Sequence, residues 1–324
     1  MAHYLVTGVA GFIAARTAAL LLDQGHRVTG VDNLNAAYDV RLKAYRLRRL
    51  QARAGFRFWR LDVAERGALE PLRRHGPYDG IVHLAARAGV RASVDDPWAY
   101  YRTNVVGTLN ILELARALGV PKVVLASTSS VYAGLKPPFR EDMPTDRPLS
   151  PYAASKKAAE VLAYTYHALH GLDVTVLRYF TVYGPAGRPD MSPLRFTQWI
   201  CEGRPVRIFG DGTQQRDFTY VDDIARGTVA ALRPLGYAIV NLGNDHPRPL
   251  MDLVHLIERH CGRPARLEYA DRHPADMPHT WASITKAARL LGWRPQVDLD
   301  EGVRRLVAWY RAERAWAQDL DTGP

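Results

Sequence analysis

Gly8-Val9-Ala10-Gly11-Phe12-Ile13-Ala14 follows directly on the apolar run His3–Thr7 and opens a segment of helical period, Phe12–Gln24. Gly8 permits a tight strand-to-helix turn, and Gly11 lets the backbone N–H groups at Phe12 and Ile13 approach a pyrophosphate at the helix N-terminus. Ala14 stands where a third small residue lets the helix pack on the strand. A second run, Arg27–Asp32, ends in a carboxylate 24 residues past Gly8. A carboxylate there binds the adenosine ribose hydroxyls and repels a 2′-phosphate, so the pattern implies NAD rather than NADP.

Outward from this unit the alternation continues. Phe56–Asp62, Gly80–His83, Lys122–Ser127 and Asp173–Tyr179 read as strands, and Val40–Arg53, Glu65–His75, Trp98–Leu118 and Tyr152–His170 as helices. Several strands are apolar without alternation, as expected of a parallel sheet covered on both faces. The fold class that follows is α/β, a Rossmann-type doubly wound parallel sheet. After residue 180 Pro, Gly and Arg become frequent and the elements short: Arg195–Glu202, Val206–Phe209, Leu250–His260, Arg266–Tyr269, Ser283–Leu291 and Glu301–Trp316. This reads as a smaller C-terminal α/β substrate lobe. Asp217–Gly243 reads as a return to the large domain. The expected division is therefore 1–179 with 217–243 for the cofactor, and 180–216 with 244–324 for the substrate. The tail Asp319–Pro324 is expected to fray.

Composition narrows the classes. With 324 residues, 47% of them apolar, the chain has material for a packed core and is not disordered, collagen-like or coiled-coil. No apolar run approaches the roughly 18–20 residues of a membrane span, and Met1-Ala2-His3-Tyr4 lacks the basic start of a signal peptide. Two cysteines, Cys201 and Cys261, show no metal-ligand spacing; they fit a reducing cytoplasm and exclude a disulfide scaffold. The formal charge is +10, with 37 arginines against 6 lysines. The excess is spread along the chain, and its densest stretch, Arg41–Arg53, reads as one solvated helix face. Such a field attracts phosphorylated small substrates; it does not call for nucleic acid.

Further residues fall on the cofactor face. Asp62 and Val63 close the third strand, where an acid meets the adenine amino group. Leu84, Ala85 and Ala86 follow the fourth, small enough to leave room beneath a dinucleotide. Asn104 on the next helix is placed to hydrogen-bond backbone near the site. Tyr152-Ala-Ala-Ser-Lys156 puts a phenol and an ammonium one helical turn apart on one face. The preceding strand ends in Ala126-Ser127-Thr128-Ser129-Ser130. A phenol with an ordinary pKa near 10 is a poor base at neutral pH. Lys156 and a nearby nicotinamide cation would stabilise the phenolate and make Tyr152 a usable general base. Thr128 would hydrogen-bond the reacting hydroxyl.

With Gly8, Gly11, Asp32, Thr128, Tyr152 and Lys156 in this order, the chain resembles the extended short-chain dehydrogenase/reductase family over essentially its whole length. The resemblance implies Tyr152 as base, Lys156 as its modulator and Thr128 as third member. It also implies a homodimer built on the helices Trp98–Leu118 and Tyr152–His170. Four segments are similar to those of UDP-glucuronate 4-epimerases: Val31–Lys43, Ala88–Arg91, Phe180–Pro185 and Gly187–Met191. Arg216–Asp223 is shared more widely among sugar-nucleotide epimerases and dehydratases. The likeness adds Asn33, Asn35, Lys43 and Tyr179 to the cofactor face, and Arg91, Thr181, Arg188, Met191, Arg216 and Asp276 to the sugar nucleotide. Ala14 and Ala133 depart from the family's usual glycines.

The reaction so implied interconverts UDP-glucuronate and UDP-galacturonate through a transient 4-keto sugar, the bound NAD taking a hydride and returning it to the opposite face. The 4-keto uronate is a β-keto acid and loses CO₂ when its carboxylate stands perpendicular to the ketone. Hydroxyls at Thr128, Ser129, Ser130 and Thr181 would hold the carboxylate out of that geometry. Related decarboxylases and 4,6-dehydratases carry an acid in the 128–130 stretch; this chain has none. The alternatives are a UDP-glucose/UDP-galactose 4-epimerase, a UDP-glucuronate decarboxylase, and a non-catalytic NAD- or RNA-binding protein.

Overall fold

In the computed structural model, which describes residues 1–271 and 277–323, the first half of the chain alternates strand and helix. The order is β1 (His3–Thr7), α1 (Phe12–Asp23), β2 (Arg27–Asp32), α2 (Val40–Gln51), β3 (Phe56–Arg60), α3 (Glu70–His75) and β4 (Gly80–His83). Then come α4 (Val90–Asp95), α5 (Pro97–Tyr100), α6 (Gly107–Ala117), β5 (Lys122–Thr128), α7 (Pro151–His170) and β6 (Asp173–Tyr179). Beyond β6 lie β7 (Thr181–Tyr183), α8 (Ser192–Glu202), β8 (Pro205–Phe209), β9 (Gln215–Arg216), β10 (Phe218–Tyr220), α9 (Val221–Ala230) and β11 (Tyr237–Leu242). The chain closes with β12 (Arg248–Pro249), α10 (Leu250–Cys261), β13 (Arg266–Ala270), α11 (Thr285–Leu291), α12 (Leu299–Ala312) and α13 (Arg314–Ala317).

Seven strands form one sheet in the order β11-β6-β5-β4-β1-β2-β3, and every pairing in it is parallel. Parallel strands need crossover connections, which puts helices on both faces. The strand order reverses between β1 and β4, the switch point outside whose carboxyl ends a doubly wound sheet leaves a crevice. β11 pairs with β6 from Tyr237–Val174 to Leu242–Tyr179, and α9 returns to α1 through an Arg16–Asp222 ion pair at 2.5 Å. The lobe beyond is pinned by short pairings: β7 with β10, β8 with β13, and β9 antiparallel to β12. Its core, which includes Trp199, Ile208, Leu253, Val254 and Val303, reaches Phe12 at the start of α1.

Several expectations need correction. The helix read as Trp98–Leu118 is interrupted: a π-turn at Tyr101–Val106 separates α5 from α6, and Asn104 is buried within it. Glu65–His75 opens as a 3₁₀ turn, Arg66–Leu69, before α3. The last helix starts at Leu299 and breaks at Glu313. Cys201 and Cys261 are not free thiols but a disulfide, Cα atoms 5.7 Å apart; a separation of 60 residues hid the fact that α8 and α10 pack side by side.

Across its described residues, 319–323, the tail does not fray. The Gln198 amide donates to the carbonyls of Ala317, Gln318 and Leu320 at 3.1, 3.1 and 2.9 Å. Its oxygen accepts from the Thr322 hydroxyl at 2.9 Å. Leu320 is buried with Leu42, Leu306 and Tyr310, each such side chain contributing about 1.5–3 kcal/mol. Nor is Arg41–Arg53 wholly solvated: Leu42, Lys43, Arg46, Leu47 and Leu50 of α2 face inward.

Candidate active site

The carboxyl ends of β1, β2, β4, β5 and β6 open into a cleft of about 360 Å³. At one end stands the glycine turn. Gly8 has φ +69°, and a Cβ there would lie 2.7 Å from Cα of Ala85; one on Gly11 would lie 2.8 Å from the carbonyl oxygen of Gly8. Only glycine lets the turn close this tightly. α1 then begins at Phe12 with no side-chain cap, so its first N–H groups are free to serve an anion.

Asp32 is buried beside this turn. One carboxylate oxygen accepts from the Ala10 N–H at 3.2 Å, the other from the Leu34 N–H at 2.8 Å. The ammonium of Lys43 is 3.8 Å from Asp32 and donates to the Asn35 side chain at 3.2 Å. Asn33 donates to Asp62 at 3.1 Å. Phe12, Ile13, Asn33, Asn35, Lys43, Asp62, Val63, Leu84, Ala85 and Ala86 all line the cleft, as do Ala37 and Tyr38, which the sequence reading left out. An acidic, uncrowded pocket next to a turn that admits no Cβ fits a dinucleotide with free ribose hydroxyls.

The other end is built by β5 and α7. Ser150 caps α7 by accepting from the Ala153 N–H at 3.1 Å, and Pro151 starts the helix with its φ preset. Tyr152 therefore falls in the first turn and Lys156 one turn on. The Lys156 ammonium donates to the carbonyl of Ala126 at 2.8 Å. Burial pushes it down to about 8, against the opposing pull of the Glu160 carboxylate. Burial raises the Tyr152 phenol; its interaction with Thr128 and the charge of Arg188 lower it. Arg188, read from sequence as a phosphate ligand, is thus a further cation that favours the ionised phenol. Arg188 itself is held by Asp190 and by the carbonyl of Ala88 at 3.2 Å.

Thr128, Ser129, Ser130, Tyr152, Lys156, Tyr179, Thr181, Arg188 and Met191 line this end. The Thr128 hydroxyl accepts from the Ser130 N–H at 3.1 Å, which folds the hydroxyl row back over the strand end. Beneath it Glu160 takes the Arg178 guanidinium on both oxygens, at 2.9 and 2.7 Å, and the Ser127 hydroxyl at 2.6 Å. This is a fully buried ion pair under the catalytic face.

Three expected residues do not line the cleft. Asn104 lies behind it, where its side chain accepts from the N–H of Arg87 at 2.8 Å and donates to that residue's carbonyl at 3.0 Å and to Ser155 at 2.9 Å. It shapes the loop after β4. Arg91 stacks 4.4 Å over the ring of Phe209, and Arg216 donates to the carbonyl of Gln215 at 2.8 Å. Asp276 lies outside the described residues. The sequence reading also passed over His83, whose nitrogens meet Thr7 at 2.7 Å and Thr108 at 3.2 Å. Burial and the charge of Lys156 push His83 down to about 3, so it is neutral. Its place at the carboxyl end of a central strand was the available signal.

Residues 4–243 match the Epimerase family, described as the NAD dependent epimerase/dehydratase family. The chain belongs to that family. Within the NAD dependent epimerase/dehydratase family, it is 56% identical over 310 residues to the UDP-glucuronate 4-epimerase of Thermodesulfobacterium geofontis, covering 95% of this chain and 96% of that one. The UDP-glucuronic acid 4-epimerase of Bacillus cereus, solved with UDP-glucuronic acid and NAD, superposes with a TM-score of 0.89 at 35% identity, covering 96% and 99% of the two chains. The UDP-glucose 4-epimerase of Thermotoga maritima, solved with UDP-glucose, does so with a TM-score of 0.89 at 31% identity over the same shares.

Proposed function

We propose that this chain is an NAD-dependent isomerase that inverts C4 of a UDP-linked uronic acid, interconverting UDP-glucuronate and UDP-galacturonate. One observation carries the reading. A single cleft runs from the Gly8/Asp32 turn to a phenol, Tyr152, flanked by a row of hydroxyls with no acid among them. NAD, when bound, supplies the hydride acceptor that makes C4 reversible. Tyr152 takes the proton from the 4-hydroxyl, which Thr128 also hydrogen-bonds, and Arg188 favours the ionised phenol. Lys156, one helical turn on and anchored on the Ala126 carbonyl, is its modulator. Ser129, Ser130 and Thr181 hold the sugar carboxylate away from the angle at which a β-keto acid loses CO₂.

The proposal extends to organisation. Segments 1–179 and 217–243 carry the cofactor, and 180–216 with 244–324 the sugar nucleotide, Asp276, Arg91 and Arg216 being kept as its ligands on the family resemblance. A homodimer is supported by exposed apolar side chains on neighbouring helices, Trp98 at 83%, Tyr164 at 55% and Val161 at 54%. Among the described residues no helix is long and apolar enough to cross a membrane. We place the enzyme in the cytoplasm, with no nucleic-acid or membrane partner, because a charged cofactor and sugar nucleotide do not cross a bilayer unaided.

The test is incubation with UDP-glucuronate and no added NAD, with the products separated. UDP-galacturonate must accumulate. A strong preference for UDP-glucose moves the assignment to the neutral hexose, a reading the likeness to the Thermotoga maritima enzyme favours; a UDP-pentose product moves it to decarboxylation.

A further inference from the structure

Arg46 of α2 is only 5% exposed, and all five of its N–H groups are engaged. Nε and Nη2 donate to the carbonyl of Ala186 at 2.9 and 2.6 Å, and Nη2 also to that of Gly187 at 2.9 Å. Nη1 donates to the carbonyl of Ala10 at 3.1 Å and to the Tyr38 hydroxyl at 2.7 Å. Every acceptor is a neutral oxygen. A charge buried without a carboxylate is a costly way to fill space, and packing alone would be served better by leucine. What the guanidinium adds is a rigid fork that reaches several carbonyls at once.

Those acceptors belong to three separate segments of the chain. Ala10 is in the glycine turn, Tyr38 in the loop after β2, and Ala186 and Gly187 in the turn that leads to α8. That last turn is conformationally strained: Ala186 has φ 53° and Gly184 φ 146°, the former in a region that disfavours a side chain. It lies against the dinucleotide side, for a Cβ on Gly187 would stand 3.7 Å from the Phe12 ring. The residue after it is Arg188. Arg46 itself is not among the residues that line the cleft.

We propose that Arg46 is a positioning residue for the epimerisation: its guanidinium ties the 184–187 turn to the glycine turn and so fixes where Arg188 stands relative to the Tyr152 phenol. This rests on the reaction proposed above. It makes the geometry of the two ends of the cleft interdependent through one side chain, and it accounts for a strained alanine that has no role of its own. A lysine at this position keeps the charge but has one nitrogen and cannot span the four acceptors.

The experiment compares the unchanged chain with Arg46→Lys and Arg46→Ala. Read out are kcat, KM for UDP-glucuronate, the pH dependence of kcat, retained NAD, and amide hydrogen exchange at 184–191. Arg46→Lys should lower kcat about tenfold, as a displaced catalytic cation does. It should also move the ascending limb of the pH profile upward by about half a unit, with NAD retained and exchange faster at 184–191. Millimolar guanidinium should restore part of the activity of Arg46→Ala. An Arg46→Lys variant with the parent's kcat and pH profile overturns the proposal, whatever its melting temperature. If the unchanged chain does not turn over UDP-glucuronate, the functional reading fails; Arg46 is then judged by exchange alone, and unaltered exchange at 184–191 overturns it too.

Discussion

The ammonium of Lys156 donates to the carbonyl of Ala126 at 2.8 Å, inside a strand end where it has little water. Burial lowers it from 10.5 to about 8. Its folded value lies below its unfolded one, so below pH 8 the native state carries the cost of a buried charge, and that cost fades as pH rises from 8 toward 10.5. Lys156→Met is expected to raise the stability of the cofactor-free protein by about 1–3 kcal/mol at pH 7 while removing turnover. Urea unfolding at pH 7 and pH 10 checks this: the gain should shrink at the higher pH, and an equal gain at both refutes it.

Tyr152→Phe removes the base without emptying the cleft. kcat should fall on the order of 10²–10⁴-fold with NAD still retained, measured as bound cofactor per chain. Thr128→Val should show a smaller fall, with the pH profile moved upward because the phenol loses a hydrogen bond that favours its ionised form.

The hydroxyl row makes a prediction about product as well as rate. Ser130→Ala with Thr181→Ala should raise KM for UDP-glucuronate by about tenfold, leave that for UDP-glucose nearly unchanged, and release some UDP-pentose. Chromatography of products from both substrates decides it. Parallel losses on the two sugars would contradict a carboxylate contact.

Glu160 and Arg178 form a buried, two-pronged ion pair, and such pairs are worth most when one member is lost. Glu160→Ala strands the guanidinium and should destabilise the chain by about 3–5 kcal/mol, read by urea denaturation. Replacing both members with Leu and Met should cost much less.

His83 is held neutral between two threonines, its pKa near 3 instead of 6.5. The native state therefore binds fewer protons than the unfolded chain between those values. Stability complete above pH 6.5 is lost as pH falls through this window, by about 1.4 kcal/mol per unit. The difference in unfolding free energy between the parent and His83→Gln should narrow from pH 7 to pH 4.

The glycine turn, the succession of the first six strands along the chain and the one-turn spacing of Tyr152 and Lys156 were all readable in the chain, because each depends on a local rule of turn, period or spacing. What escaped depended on partners far away in sequence. Arg46 looked like one arginine among many on a solvated face, although Leu42 and Leu50, four positions to either side, marked the inward stripe. The tail looked polar and short, and nothing nearby announced that Gln198 would receive it. The two cysteines gave no spacing rule from which a bond follows. At Tyr101–Val106 the apolar period ran straight through a π-turn, since period alone does not show where a buried asparagine widens a helix.

β11 reaches the outer side of β6 only after the chain has left the sheet, built α8 and β8, and come back through α9. A nascent chain that has emerged as far as Tyr179 therefore still lacks its last strand and exposes the edge of β6, which stays open until Leu242 is free of the ribosome. Grafting a foreign substrate lobe as a cassette meets the same obstacle. Under the proposed division there is no single seam to cut, and a chimera must carry three junctions, near 179/180, 216/217 and 243/244, or leave the sheet unfinished.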